Sequence, residues 1–160
     1  YLIAKAKKAG FDHKFMELAR TINASMPEYT LQRLEQGLKE LKLSFDNVKI
    51  TLFGLTYKGN VDDCRESPAL EVKKLLLKKL KSPAQLIVYD PYLSQQSTVS
   101  SLQEACKADV IVLCANHHEF VVMDYNLLTK CGVKLVIDGR NCFDKQKITE
   151  LGILYKGIGR

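Results

Sequence analysis

The chain has 160 residues, of which 46% are apolar and 26% charged; that suits one ordinary globular domain with a complete core and room for a helical arm. Its longest apolar stretch, Val110 to Ala115, is far too short to span a bilayer, so no membrane partner is expected. The net charge of +6 admits either nucleic acid or an anionic small substrate such as a diphosphate.

Most of the excess charge has a plainer origin, because Lys73, Lys74, Lys78, Lys79 and Lys81 crowd one predicted helix. With no aromatic-interleaved basic platform, nucleic acid is not an expected partner. The five cysteines (Cys64, Cys106, Cys114, Cys131 and Cys142) are odd in number and form no CxxC. They argue against a disulfide framework and for a reducing, cytoplasmic setting. The N-terminus is lysine-studded and shows no signal-peptide h-region. It begins with Tyr1 rather than Met, a first hint of a longer protein.

In chain order, Tyr1 to Ala9 reads as the tail of a helix that Gly10 ends. Asp12 is the expected N-cap of the next helix. Phe15, Leu18, Ile22, Met26 and Tyr29 recur at helical spacing, and Leu34, Leu38 and Leu41 continue the stripe. Pro27 is expected to kink or split it. Residues 12–42 therefore form a bent arm or two helices, and the stripe needs a partner, its own domain or a second subunit.

After Asn47 the pattern changes. Val48–Phe53 reads as a strand, and Ser67–Lys81 as a helix with Ser67 as N-cap and Pro68 in its first position. Leu86–Tyr89, Val110–Cys114 and Lys134–Ile137 read as further strands, with short helices at Leu102–Lys107 and Tyr125–Lys130. Ile148–Leu151 is a helix remnant and Ile153–Tyr155 an edge strand. Strands alternating with helices predict an α/β fold with a doubly wound, Rossmann-like parallel sheet, preceded by the long helical arm. In such sheets ligands sit beyond the carboxyl ends of the strands.

Four loops lie at those ends: 54–66, 90–93, 114–120 and 138–143. The first, GLTYKGNVDDCRESP, is neither GxGxxG nor a P-loop. Lys58 and Arg65 can pair phosphates, and Tyr57 can stack on a base or sugar. A surface ion-pair network, with Asp63 and Glu66 holding the cations, fits the loop equally well. Arg140, projecting from the end of a buried strand, reads as a phosphate or carboxylate anchor. Cys114, His117 and His118 lack the spacing of a tetrahedral site, so no metal is expected. Cys64 sits among opposing charges and reads as packing rather than as a nucleophile.

Ile50 to Leu70, ITLFGLTYKGNVDDCRESPAL, closely resembles the opening of the C-terminal domain of the UDP-glucose/GDP-mannose dehydrogenase family. VYDPY at Val88–Tyr92, DGRN at Asp138–Asn141 and the closing YKGIGR resemble it too. The arm, YLIAKAKKAGFD and then ARTINASMPEY, is similar to the central helix of the branch that oxidises UDP-N-acetylhexosamines. The likeness covers essentially the whole chain.

The resemblance implies an enzyme that oxidises the C6 alcohol of a nucleotide sugar to a carboxylate with two NAD molecules in succession. A cysteine upstream would form a thiohemiacetal and then a thioester. It implies residues 1–46 as a central arm that builds a homodimer, and residues 47–160 as a nucleotide-sugar-binding domain. Tyr57, Lys58 and Arg140 would face the UDP-sugar, and Arg65 would reach the NAD held on another domain. That N-terminal NAD-binding domain and the cysteine nucleophile are not expected among these residues, so the chain alone is expected to be inactive. The competing reading is a stand-alone nucleotide-binding regulatory module that signals through its arm.

Overall fold

In the computed structural model, which describes residues 2–159, strands β1 (Ile50–Phe53), β2 (Leu86–Tyr89), β3 (Val110–Leu113), β4 (Leu135–Asp138) and β5 (Leu154–Gly157) form one sheet. All neighbours are parallel, in the order β2-β1-β3-β4-β5. The register aligns Phe53 with both Tyr89 and Leu113, Leu113 with Asp138, and Asp138 with Gly157. All five strands thus end in one row. The order reverses between β1 and β3, which opens a crevice beyond that row.

Side chains alternate across the sheet because the strand period is two. Ile50, Leu52, Val110, Val112, Leu135 and Ile137 face one core, built with α2 (Lys14–Glu40) and α3 (Pro68–Lys79). Phe53, Ile111, Leu113 and Val136 face the other. That second core is closed by α4 (Leu102–Ala105), α5 (His118–Val121), α6 (Asn126–Lys130) and α7 (Lys145–Glu150). Helices on both faces make the doubly wound sheet that the alternating pattern predicts. Ser67 caps α3 by accepting from the Ala69 amide, with Pro68 in the first turn; such a cap contributes about 1 kcal/mol.

The arm differs from its sequence-based expectation. After α1 (Leu2–Lys8), Gly10 takes φ +76°; Tyr1 lies outside the described residues. His13, not Asp12, holds the cap position of α2, without a side-chain hydrogen bond. Asp12 stands one residue too early to cap. The helix also runs unbroken through Pro27 instead of splitting. An interior proline costs about 3 kcal/mol, whereas each buried leucine contributes about 1.5–3 kcal/mol. Leu31, Leu34 and Leu38, all buried in the core beyond Pro27, outweigh it.

Other boundaries move by one to three residues. β1 begins at Ile50 rather than Val48, and α7 begins at Lys145, where Asp144 accepts from the Lys147 amide. Helix α5 lies in a stretch expected to be loop; a single turn without a side-chain cap leaves no periodic signal. Toward the other end of α2 the apolar stripe is uncovered: Phe15, Leu18 and Ile22 are 77%, 59% and 55% exposed.

Candidate functional site

The loop after β1 is pinned by its neighbours. Gly54 turns the chain at φ +83° and donates to the Tyr89 carbonyl at 2.9 Å. The next two amides, Leu55 and Thr56, donate to Asp90 Oδ2 at 2.6 and 3.2 Å. Asp90 follows β2 and is itself buried; its Oδ1 accepts from the Tyr92 amide at 2.9 Å. Burial alone would raise the Asp90 carboxyl, but His117 and the backbone amides of Leu55 and Tyr92 outweigh that and hold it below its ordinary range.

Arg140 is placed by a second buried carboxylate. Asp138 ends β4, with Oδ1 accepting from the Arg140 amide and Oδ2 from the Phe143 amide and the Tyr155 hydroxyl, each at 2.9 Å. Gly139 lies so near β3 that a Cβ there would stand 2.7 Å from the Leu113 carbonyl oxygen. Asn141 takes φ +51°, and its side-chain amide donates to the Ile158 carbonyl. The DGRN motif is thus a tight turn that turns Arg140 outward at the strand ends.

Tyr57, Lys58 and Arg140 meet on one cleft of about 570 Å³. Met26, Pro27 and Thr30 of α2 form its opposite wall, and Leu113 and Cys114 its floor. Lys58 and Arg140 are its two cations, and no carboxylate lines it. Among the described residues neither enters an ion pair. Burial pushes the Cys114 thiol up to about 12 despite nearby Arg140, which disfavours its thiolate.

Arg65 stands apart from that cleft. It lines an adjacent, wider groove with Arg20, Lys74 and the carboxylates of Asp63, Glu66 and Glu71, and the two cavities share Asn23, Pro27, Tyr57 and Pro68. Its guanidinium grips Asp63 through two bonds of 2.9 and 2.7 Å. The side-chain hydrogen bond from Arg65 holds the Asp63 carboxyl down to about 2. Glu66 joins no ion pair among the described residues. Cys64 accepts from Gln96 Nε2 at 3.4 Å.

Two site residues escaped the sequence reading. Asp90 reads only as the stop of a strand, and His117 only as part of a non-metal Cys/His group. In the fold both are buried at the switch point and hydrogen-bonded to each other at 3.1 Å. Nothing in periodicity or spacing marks them, because their partners come from three separate loops.

Another groove, about 1030 Å³, runs along edge strand β2. It exposes Glu104 and Glu119 beside Lys49 and Lys107. The two carboxylates oppose a diphosphate there, which leaves the cationic cleft as the better anion site.

Residues 51–145 match the model of the UDP-glucose/GDP-mannose dehydrogenase family, UDP binding domain. The UDP-N-acetyl-D-mannosamine dehydrogenase of Pyrococcus horikoshii is 32% identical over 99% of this chain, and the match covers 36% of that protein. The solved structure of the UDP-D-ManNAc dehydrogenase from the same organism superposes with a TM-score of 0.85 at 32% identity, over 97% of this chain and 36% of the other. The NDP-N-acetyl-D-galactosaminuronic acid dehydrogenase of Methanosarcina mazei superposes at 0.80 with 31% identity, over 89% and 31%. The chain thus spans about a third of the length of the relatives it matches.

Proposed function

Because the chain belongs to the UDP-glucose/GDP-mannose dehydrogenase family, we propose that its cationic cleft binds the nucleotide-sugar substrate of an NAD-dependent 6-dehydrogenase, a UDP-N-acetylhexosamine. The observation that carries this reading is the pairing of Lys58 with Arg140 in a cleft without carboxylates. Two unopposed cations beyond the strand ends suit a diphosphate, with Arg140 able to engage it through two parallel bonds and Lys58 acting as a point charge. Tyr57, 65% exposed, supplies a ring for the sugar or base. The N-acetylated sugar follows the relatives, whose names carry UDP-N-acetyl-D-mannosamine or an N-acetyl-D-galactosaminuronic acid.

Residues 47–160 are the nucleotide-sugar unit in this proposal, and residues 1–46 the arm. Arg65 shares the adjoining groove with Arg20 and Lys74 and with the carboxylates of Asp63, Glu66 and Glu71; its place beside the cleft supports a contact with NAD held on another domain. NAD, when bound, accepts the hydride from C6. The sequence offers no GxGxxG turn to cradle it; in this proposal the dinucleotide fold and the cysteine nucleophile are not supplied by these residues. The work of this chain is to anchor the UDP end and so hold C6 in place. Five unpaired cysteines and the lack, among the described residues, of a helix able to cross a membrane suit a cytoplasmic enzyme.

Removing either cation leaves phosphate oxygens without a charged donor, which costs about 1.5–3 kcal/mol or roughly 10–100-fold in affinity. Lys58→Ala and Arg140→Ala are each expected to weaken binding of UDP-N-acetylmannosamine by that factor in isothermal titration calorimetry, at an unchanged melting temperature. If both variants bind as the wild type does, the assignment of the cleft is wrong.

The uncovered stripe on α2 supports homodimer formation. Phe15, Leu18 and Ile22 form an apolar face with no cover from their own domain, and a second copy of the arm would bury it. Sedimentation equilibrium should give a dimer for the wild type and a monomer for the Phe15→Asp/Leu18→Asp variant. A monomeric wild type would rule the arm out as the dimer contact.

A further inference from the structure

The loop that carries Lys58 is fixed from the far side by a single buried ring. His117 has no exposed surface; it stacks on Tyr92 at 5.0 Å and meets Phe120 edge-on at 5.4 Å. Its Nδ1 lies 3.0 Å from the Asn60 amide nitrogen. An amide can only donate, so Nδ1 carries no proton and Nε2 carries it. That Nε2–H lies 3.1 Å from Asp90 Oδ2 and 3.0 Å from Thr56 Oγ1. The Thr56 hydroxyl has its own proton directed to the Lys58 carbonyl at 2.9 Å.

The ring therefore grips the chain at residues 56 and 60, two positions to either side of Lys58. Two further contacts press the same segment onto the loop after β3. Asn60, at φ +62°, accepts from the His118 amide at 2.7 Å. Gly59 lies so close that a Cβ there would stand 2.4 Å from the Asn116 carbonyl oxygen. By contrast Arg65, farther along the loop, has hydrogen bonds only to Asp63 among the described residues, and its side chain is 87% exposed. The fixed part of the loop is the part that presents Lys58.

We infer that His117, in its neutral Nε2–H form, is a positioning residue for Lys58: it clamps Thr56 and Asn60 so that the lysine stands opposite Arg140 before any ligand arrives. This rests on the reading of the cleft as a nucleotide-sugar site. A point charge on a flexible four-carbon stem gains from a fixed backbone, because less freedom is lost when the anion binds.

Two amide replacements separate the halves of the clamp. His117→Asn places a carbonyl oxygen near Nδ1, able to accept from Asn60, and gives up the contacts with Asp90 and with the Thr56 hydroxyl; Thr56 stays held through its amide, which donates to Asp90. His117→Gln places an amide N–H near Nε2, able to donate to Asp90 and Thr56, and releases Asn60. Both lose the stack on Tyr92, so a merely structural role predicts equal losses. The measurement is the affinity for UDP-N-acetylmannosamine by calorimetry, with thermal melts alongside. His117→Gln should bind about tenfold more weakly and His117→Asn within about twofold of wild type.

In the Lys58→Ala background the His117→Gln loss should shrink to under about twofold, because residues acting through one another are not additive. Thr56→Val, which removes the hydroxyl from the Lys58 carbonyl, reads the same link should the Gln variant not fold. Equal losses for the two amides, or a His117→Gln or Thr56→Val loss undiminished without Lys58, would overturn the clamp. Wild-type affinity in Lys58→Ala itself would instead sink the nucleotide reading, and the clamp with it.

Discussion

Replacing Gly54 by alanine is expected to lower the stability of the chain by about 4 kcal/mol. Two costs add at this position. The backbone stands at φ +83°, where a Cβ is strained by about 1–3 kcal/mol. The added Cβ would also lie 2.5 Å from the Ala115 Cβ and 2.9 Å from the Ala115 amide nitrogen. Those atoms belong to Ala115, in the loop just after β3, and a Cβ and an amide nitrogen cannot rotate away, so the loops after β1 and β3 must part, at a further 1–3 kcal/mol or so. A domain of this size melts about 2–4 °C lower for each kcal/mol lost, so the midpoint should fall by roughly 8–16 °C. The same parting would displace the loop that carries Tyr57 and Lys58, so affinity should fall as well. A fall of less than about 3 °C would mean that the strand ends have slack and that the crevice is not rigidly set.

Asp90→Ala should cost about 3–5 kcal/mol, because each buried donor left without its acceptor costs about 1–3 kcal/mol. The carboxylate accepts from the amides of Leu55, Thr56 and Tyr92 and from His117, and alanine removes this shared acceptor, leaving His117 Nε2–H with Thr56 Oγ1 alone. Its folded-state pKa is depressed, so the sign of the pH dependence is fixed. The stabilisation is complete above the unfolded value of about 3.9 and is lost as pH falls through the lower folded value. Asp90→Asn, which cannot titrate, should flatten the acid limb of a stability-against-pH curve measured by urea unfolding. If the acid limb of Asp90→Asn matches that of wild type, other carboxylates set it. Asp109, which is bonded to Lys134 and the Lys49 amide, would be the next candidate.

Strands β1, β3 and β4 were legible because they are buried on both faces. Val110–Leu113 and Leu135–Asp138 are apolar runs, apart from the closing Asp138, bounded by loops, and a parallel sheet demands such runs. The cap of α3 was legible as well, since Ser67-Pro68 has a local chemical meaning. What sequence could not weigh was tertiary packing against local cost. Pro27 reads as a kink or a split because the proline is local, while the leucines that exclude the split matter only once the sheet is in place. Helix α5 is one turn long and leaves no period to detect.

The same division runs through the site. Lys58 and Arg140 stand out by residue type and by their place after strands, and the fold brings them to one cleft. Arg65, from the same loop, falls on the neighbouring groove, because the chain turns away from the cleft between Asn60 and Ser67. His117 and Asp90 carry no such mark. Their meaning lies in hydrogen bonds to residues 27 to 61 positions distant, which periodicity cannot convey.

Amide chemical-shift mapping by NMR, with UDP-N-acetylmannosamine titrated into the 15N-labelled chain, tests the central claim most directly. The largest shifts should gather at Tyr57, Lys58, Cys114, Gly139 and Arg140, around the cationic cleft. Saturable shifts along β2 at Ser97, Ser100 and Glu104 instead, or none at all, would contradict the account and move the nucleotide sugar off the switch point.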